Sequence, residues 1–266
     1  MTSQHTAPSE PLGFDTTRAH PARVYDYWLG GKDNYEADRV AAREVIEAMP
    51  HIVPTVKSNR AFLRRAVQYL ASEAGVRQFL DIGTGLPTAQ NTHEVAQEIA
   101  PESRIVYVDN DPIVLAHARA LLTSTPQGAT AYLQADAREP EKILREAART
   151  LDFSQPVAVI LLLVMHFISD DDGPREIVSR LVDAVPSGSY LVMSHGTLDF
   201  DPGGAPATDR YNARVPTQMI PRPGAEILRF FEGLDLIEPG LSPLAHWRAL
   251  PSPSTQVAYA AVGKKP

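Results

Sequence analysis

The stretch FLDIGTGLPT, Phe79 to Thr88, read together with VYVDNDP at 106–112, decides how this chain is to be understood. A short apolar run ends in Asp81 and passes into a glycine turn, Gly83-Thr84-Gly85. A second apolar run, Ile105 to Val108, ends in Asp109. The helix-like segment between them completes the order strand, glycine turn, helix, strand, acid. That order suits a nucleoside-bearing ligand at the carboxyl edge of a parallel sheet. The glycines let backbone approach the ligand, and the acid after the second strand takes both ribose hydroxyls.

A dinucleotide turn wants a third glycine three residues after Gly85, where the helix packs close to the strand below a pyrophosphate. That position is Thr88, preceded by Leu86 and Pro87. Asp81 sits just before the turn, where a carboxylate suits a cation better than a pyrophosphate. S-adenosylmethionine carries an ammonium and a sulfonium beside its ribose, so the acidic turn favours it over NAD.

Composition narrows the class. The chain has 266 residues, 44% hydrophobic and 21% charged, values of an ordinary globular protein able to bury a substantial core. A net charge of −7 argues against a nucleic-acid partner, which needs clustered Lys and Arg. The densest basic stretch, Lys57 to Arg65, alternates with Phe62 and Leu63 as a solvated helix face would. There are no cysteines, which excludes disulfides, thiolate metal ligands and a thiol nucleophile; no metal site is expected. The polar start is no secretory signal, and Val157 to Met165 is too short to cross a bilayer. A cytoplasmic protein without a membrane partner is expected, with a homodimer left open.

Residues 1–20 read as a flexible tail, 21–75 as a helical addition and 76–266 as the main domain. In the addition, Ala37 to Met49 has helical spacing and stops at Pro50, while Ser58 is placed to cap a helix running to Ala74. Beyond it, strands expected at 78–82, 104–109, 130–135, 156–164 and 189–195 alternate with helices at 88–100, 112–123, 139–149 and 174–185. Alternation of this kind gives an α/β fold, a parallel sheet covered on both faces. A helix near 223–232 is followed by segments 234–237 and 256–262, which suit an antiparallel hairpin at the sheet edge. Asp199 to Gly224, rich in proline and glycine, reads as a long loop of the kind that forms lids.

The block PARVYDYWLGGKDNYEADR at 21–39 resembles the opening of an actinobacterial family of S-adenosylmethionine-dependent methyltransferases long catalogued as proteins of unknown function. The likeness continues through NRAFLRRAVQYL at 59–70, QFLDIGTGLPT at 78–88, HEVAQ at 93–97, QADAR at 134–138 and MHF at 165–167. It implies the Rossmann-like class I methyltransferase fold, with a mostly parallel seven-stranded sheet, an antiparallel C-terminal hairpin and the N-terminal helical addition. It also implies the methyl donor S-adenosyl-L-methionine, and it implies no particular acceptor.

The resemblance places Gly83 and Gly85, with Thr84 between them, along the methionine part of the donor. Asp81 then meets the ammonium, unless it only caps the turn. Asp109 is assigned to the ribose hydroxyls and Asn110 to the adenine side. Asp136, assisted by the Ala137 backbone, sits where this fold class meets the adenine amino group; a helix cap at the same place competes. His166 ends the fourth strand beside the site of transfer and serves there as a general base or as a pocket wall. His195, in MSHG, is the second candidate base. Arg60 is a partner for the donor carboxylate. Tyr25 to Tyr35 reads as a flap whose Tyr25 and Asn34 offer hydrogen bonds to the donor, or as an aromatic plug packed on the sheet. Two functions remain: methyl transfer to a small-molecule acceptor at O or N, or a non-catalytic protein that senses the donor or its demethylated product. A pocket open beyond the sulfonium separates the first from the second.

Overall fold

The structure is a computed structural model, and it describes residues 15–249 and 257–266. Most of the expected N-terminal tail, and Gln256 of the last expected strand, lie outside the described residues.

Five parallel strands carry the fold: β1 Gln78–Ile82, β2 Arg104–Asp109, β3 Ala129–Gln134, β4 Ala158–Leu162 and β5 Tyr190–Gly196. Three more complete the sheet: β6 Asp235–Leu236, β7 Ser242–Pro243 and β8 Ala258–Lys264. The order is β3-β2-β1-β4-β5-β8-β6, with β7 also on β8. Strands β1 to β5 run parallel, and β8 lies antiparallel to β5. The order reverses between β1 and β4, and ligands of open α/β sheets bind in the crevice at such a switch point.

The expected hairpin is present, but the strand facing β8 is broken in two, so the sheet has eight strands rather than seven. Asp235 pairs with Lys264 and Leu236 with Gly263, whereas Ser242 pairs with Ala260 and Pro243 with Tyr259. The chain bulges between the two short pieces and takes up the shift in register there.

Helices α1 Pro21–Leu29, α2 Glu36–Ala48 and α3 Ile52–Ser72 precede the sheet. The crossovers carry α4 Thr92–Ile99, α5 Pro112–Leu121, α6 Pro140–Ala147 and α7 Pro174–Asp183, and α8 Ala205–Asn212 and α9 Gly224–Leu228 come late. Two expectations change. Helix α3 begins at Ile52 rather than after Ser58, because Pro54 lies in its first turn, where its missing N–H costs nothing. The stretch 199–224 contains α8 and is not a bare loop.

Both faces of the sheet are covered. Phe62, Leu63, Val67 and Leu70 of α3 pack on one face with Phe79, Ile105 and Ile160. On the other face, Ile143 of α6 and Val178 and Leu181 of α7 cover Leu80, Val106 and Val159. Full burial of each such side chain contributes roughly 1.5–3 kcal/mol. Helix α3 is therefore a layer of the sheet domain. Helices α1 and α2 instead share a core with α8, through Val24, Ala42, Val45, Val56, Ala207 and Tyr211. Tyr25, Tyr27 and Trp28 thus pack in the helical core, whereas Tyr35 packs against Leu86, Ile113 and Val114 of the sheet domain, as the plug reading expected. The buried Asp38 carboxylate joins the first two helices, accepting from the N–H of His20 and of Tyr35 at 2.8 Å each. Among the described residues no helix is long and apolar enough to cross a membrane.

Candidate functional site

A cavity opens over the carboxyl ends of the parallel strands, roofed by α1, α3 and α8. Its floor begins at the turn after β1. Gly83 and Gly85 have φ of +71° and +67°, in the left-handed region where side chains are strained. A Cβ on Gly83 would also lie 2.2 Å from Val164 Cγ2, so that glycine lets the turn pack against the end of β4. At Gly85 a Cβ would meet nothing within 4 Å. The amides of Gly83 and Thr84 donate to the Val108 carbonyl at 2.8 and 3.2 Å.

Asp109 closes this unit. Its Oδ2 accepts from the Gly85 amide at 2.9 Å and its Oδ1 from the Asp111 amide at 2.9 Å. A carboxylate has about four acceptor positions, so two backbone bonds orient it and leave capacity for ligand hydroxyls. Burial pushes its pKa up to about 6, with the backbone N–H groups resisting. Asp81 is also buried and lines the cavity, and burial raises its pKa too. Its Oδ2 accepts from the Thr92 hydroxyl at 2.6 Å. A side chain of α4, not the turn amides, thus holds Asp81 in place. Arg60 lines the same end and donates to the carbonyls of Ala89 at 3.5 Å and Gln90 at 3.2 Å. Its Nε is sealed from solvent with no partner, the kind of orphan donor that a ligand carboxylate satisfies.

Asn110, Asp136 and Ala137 line the opposite end. Asp136 does not cap a helix; Glu139 holds the N-cap of α6. The Asp136 carboxylate pairs with Arg138, accepting from its backbone N and Nε at 2.9 Å and from a terminal nitrogen at 2.8 Å. That pairing lowers its pKa.

In the roof, the Tyr25 hydroxyl donates to the Val56 carbonyl at 3.1 Å and accepts from Asn59 Nδ2 at 3.0 Å. Asn59 Oδ1 accepts from the Ser194 hydroxyl at 2.7 Å, so one hydrogen-bond chain ties α1 through α3 to β5. Tyr25 and Asn59 both line the cavity. Asn34 does not: its Nδ2 donates to Asp26 Oδ2 at 2.8 Å and to the Gly31 carbonyl at 3.1 Å. The segment wraps the Asp26 carboxylate, and a Cβ on Gly31 would lie 1.9 Å from Asp26 Oδ1. The Gly30-Gly31 pair therefore serves this tight wrap, with Gly30 ending α1 at φ +82°.

The two histidines separate. His166 lines the cavity, and its Nδ1 accepts from the Gly196 amide at 3.3 Å. Burial, then His195 and Arg222, hold its pKa well below the usual value. The hydrogen-bond pattern therefore assigns a neutral ring with its proton on Nε2, a donor rather than a base. His195 is fully buried and does not line the cavity. Its Nδ1 donates to the Gly196 carbonyl at 2.8 Å and its Nε2 accepts from Arg222 at 3.1 Å. With both nitrogens committed, His195 acts in packing and not as the base the sequence suggested.

Three contributors to the site escaped the sequence reading. Asn59 opens the NRAFLRRAVQYL block, but no role in the site was assigned to it. Leu163, at φ +54°, lines the cavity beside Val164, and no local signal marks a leucine for that conformation. Helix α8 lay in a stretch read as a loop.

The sheet order, the glycine turn bonded to the acid after β2, and the helical roof define a class I methyltransferase fold. The description "S-adenosyl methyltransferase" fits residues 7–266, and the chain belongs to that family. A DUF574 family protein from Streptomyces avermitilis is 47% identical over 95% of this chain and 99% of its own, with a TM-score of 0.91. A protein from Thermobifida fusca is 40% identical, covering 97% of this chain and 99% of its own, with a TM-score of 0.88. An O-methyltransferase family protein from Burkholderia thailandensis shares the fold alone, at 14% identity and a TM-score of 0.52 over 84% of this chain and 62% of its own. No curated protein matches. The family's methyl donor is S-adenosylmethionine.

Proposed function

We propose that the chain methylates a small molecule at oxygen or nitrogen, with the donor held by Asp81, Arg60, the Gly83–Gly85 turn and Asp109. The residues present fit that donor. Asp81 offers a carboxylate to an ammonium, the orphan Arg60 Nε matches a carboxylate, and Asp109 has acceptor capacity left for two ribose hydroxyls. Asn110 and the Asp136–Ala137 backbone border the adenine end. The donor supplies an electrophilic methyl group on a sulfonium. The chain's own task is to hold an acceptor in line with it and to exclude water, a contribution that needs no proton transfer.

One observation carries the reading: the cavity does not end where the donor residues end. It runs on past His166 and Phe167 to Met49, Leu198 and Tyr211, giving room for a second molecule. A protein that only senses the donor needs no such space. A cytoplasmic setting accords with the methyl donor. Calorimetry tests the first step: S-adenosylmethionine and its demethylated product should bind, and NAD should not. NAD binding tighter than the methyl donor would overturn the assignment.

A further inference from the structure

The second half of the cavity differs in chemistry from the first. Every Asp and Arg on the cavity wall, namely Arg60, Asp81, Asp109, Asp136 and Arg138, belongs to the donor end, and no Glu or Lys lines it among the described residues. Beyond His166 the wall is mainly Trp28, Met49, Ile52, Phe167, Leu198 and Tyr211, with the uncharged Thr208 and Thr217 among them. The nearest charges, Arg222 behind His166 and Asp38 behind Tyr211, lie outside the lining, so an ion placed there would lose its hydration without a direct opposite partner.

Three of those side chains form an aromatic arc. Trp28 and Tyr211 have ring centroids 6.4 Å apart and Phe167 and Tyr211 6.5 Å apart, tilted by 37° and 39°. Trp28 is pinned by its Nε1, which donates to the Ala42 carbonyl at 3.2 Å. Fixed rings at such separations offer edges and faces to another flat ring. The polar handles are uncharged, and the Thr197 and Thr208 hydroxyls among them already bond to the chain itself. The proton on His166 Nε2 has no protein acceptor among the described residues, and the buried Tyr211 hydroxyl makes no hydrogen bond there either.

Among the described residues no side chain in this half is placed to remove a proton. The Nδ1 lone pair of His166 is taken by the Gly196 amide, and both nitrogens of His195 are committed. A nucleophile here must ionise readily by itself. An aliphatic alcohol does not, and an ammonium has neither a lone pair nor a counter-charge.

We infer that the acceptor is an uncharged aromatic phenol bearing a carbonyl, methylated at the phenolic oxygen. This rests on the methyltransferase reading above. The carbonyl accepts from His166 Nε2–H and acidifies the phenol. The phenolic proton goes to water only as the oxygen meets the positive sulfonium of the donor, the oxygen pair forms the O–CH3 bond, and the C–S bond breaks with its pair returning to sulfur.

Three ring-matched probes test this by calorimetry on the full chain saturated with S-adenosylhomocysteine: 4-acetyl-1-naphthol, 4-hydroxy-1-naphthoic acid as the anion, and 1-naphthylmethylamine as the cation. The neutral phenol should bind at least about tenfold tighter than either ion, and with S-adenosylmethionine it should yield the methyl ether by mass spectrometry. An ion that binds as tightly, or a neutral phenol that does not bind to the loaded protein, overturns the inference. Failure of S-adenosylhomocysteine itself to bind would instead overturn the methyltransferase reading. Met219→Glu places a charge on this wall. It should weaken the neutral probe by about tenfold or more while the folded variant keeps its S-adenosylhomocysteine affinity. An unchanged probe affinity in that variant also overturns the inference.

Discussion

The Gly85 amide donates to Asp109 Oδ2 at 2.9 Å, across the gap between the turn after β1 and the end of β2. Two sequence features 24 residues apart are therefore one device. The turn aims the acid, and the acid fixes the turn. Gly85 must be in the left-handed region for its N–H to reach, and Asp109 must be buried to be reached, which is why its pKa rises to about 6.

Donor binding should depend on pH through this carboxyl. Hydroxyls donate to the ionised form, so binding favours ionisation and lowers the pKa below its free value of about 6. Affinity is then full above about pH 7 and falls as pH drops through 6, approaching about tenfold per unit. Asp109→Asn should weaken donor binding by about 1.5–3 kcal/mol at pH 7.5 and flatten the profile. Calorimetry at several pH values checks this. Asp81, also raised by burial, bends the curve the same way, so the difference between wild type and variant is the quantity to read.

Arg60→Met should weaken S-adenosylmethionine by about tenfold, the scale of one hydrogen bond to a charged group. The same variant should leave affinity for decarboxylated S-adenosylmethionine unchanged, because that analogue lacks the group matched to the orphan Nε. Equal losses for both ligands would remove Arg60 from the donor site.

Gly83 and Gly85 should respond differently to alanine. Gly85→Ala incurs only the backbone cost, about 1–2 kcal/mol. Gly83→Ala adds a clash with Val164 Cγ2 at 2.2 Å, a further penalty of about 1–3 kcal/mol. Adding Val164→Ala should recover part of the second loss and none of the first. Urea unfolding midpoints of the variants decide the matter.

His195 has a folded pKa pushed down to about 4, chiefly by burial and then by Arg222. The unfolded side chain titrates near 6.5, so the unfolded state takes up the proton first. The stability it contributes is complete above about pH 6.5 and declines as pH falls toward 4, by up to about 3 kcal/mol. His195→Gln should show a shallower slope in that window in denaturant titrations. An identical slope in the variant would mean that the ring is not held neutral.

The sheet was legible because its signals are local. Continuous apolar runs such as VAVILLLVM, glycine turns and acids at strand ends are written side by side in the chain. Asp81, Asp109 and the glycines were found for the same reason, and the structure brings them to one cavity. What stayed hidden depends on distant pairs. Nothing near His195 announces that Arg222 will occupy its Nε2. Nothing near Asn34 shows that Asp26 will claim its amide, because both are settled by tertiary packing. Helix α8 was masked by its flanking prolines and glycines, and its apolar face is evident only beside α1 and α2.

The broken strand along β8 has one more consequence. An unpaired sheet edge invites another chain to add a strand, and a long flat edge does so most readily. Here the outermost pieces, Asp235–Leu236 and Ser242–Pro243, hold two residues each and differ in register. Pro243 has no amide to donate, and neither has Pro239 in the bulge between the pieces. Among the described residues no continuous row of donors and acceptors is presented to a neighbour on this flank. That interruption guards this flank against edge-to-edge aggregation while β8 stays paired along its whole length with β5 behind it.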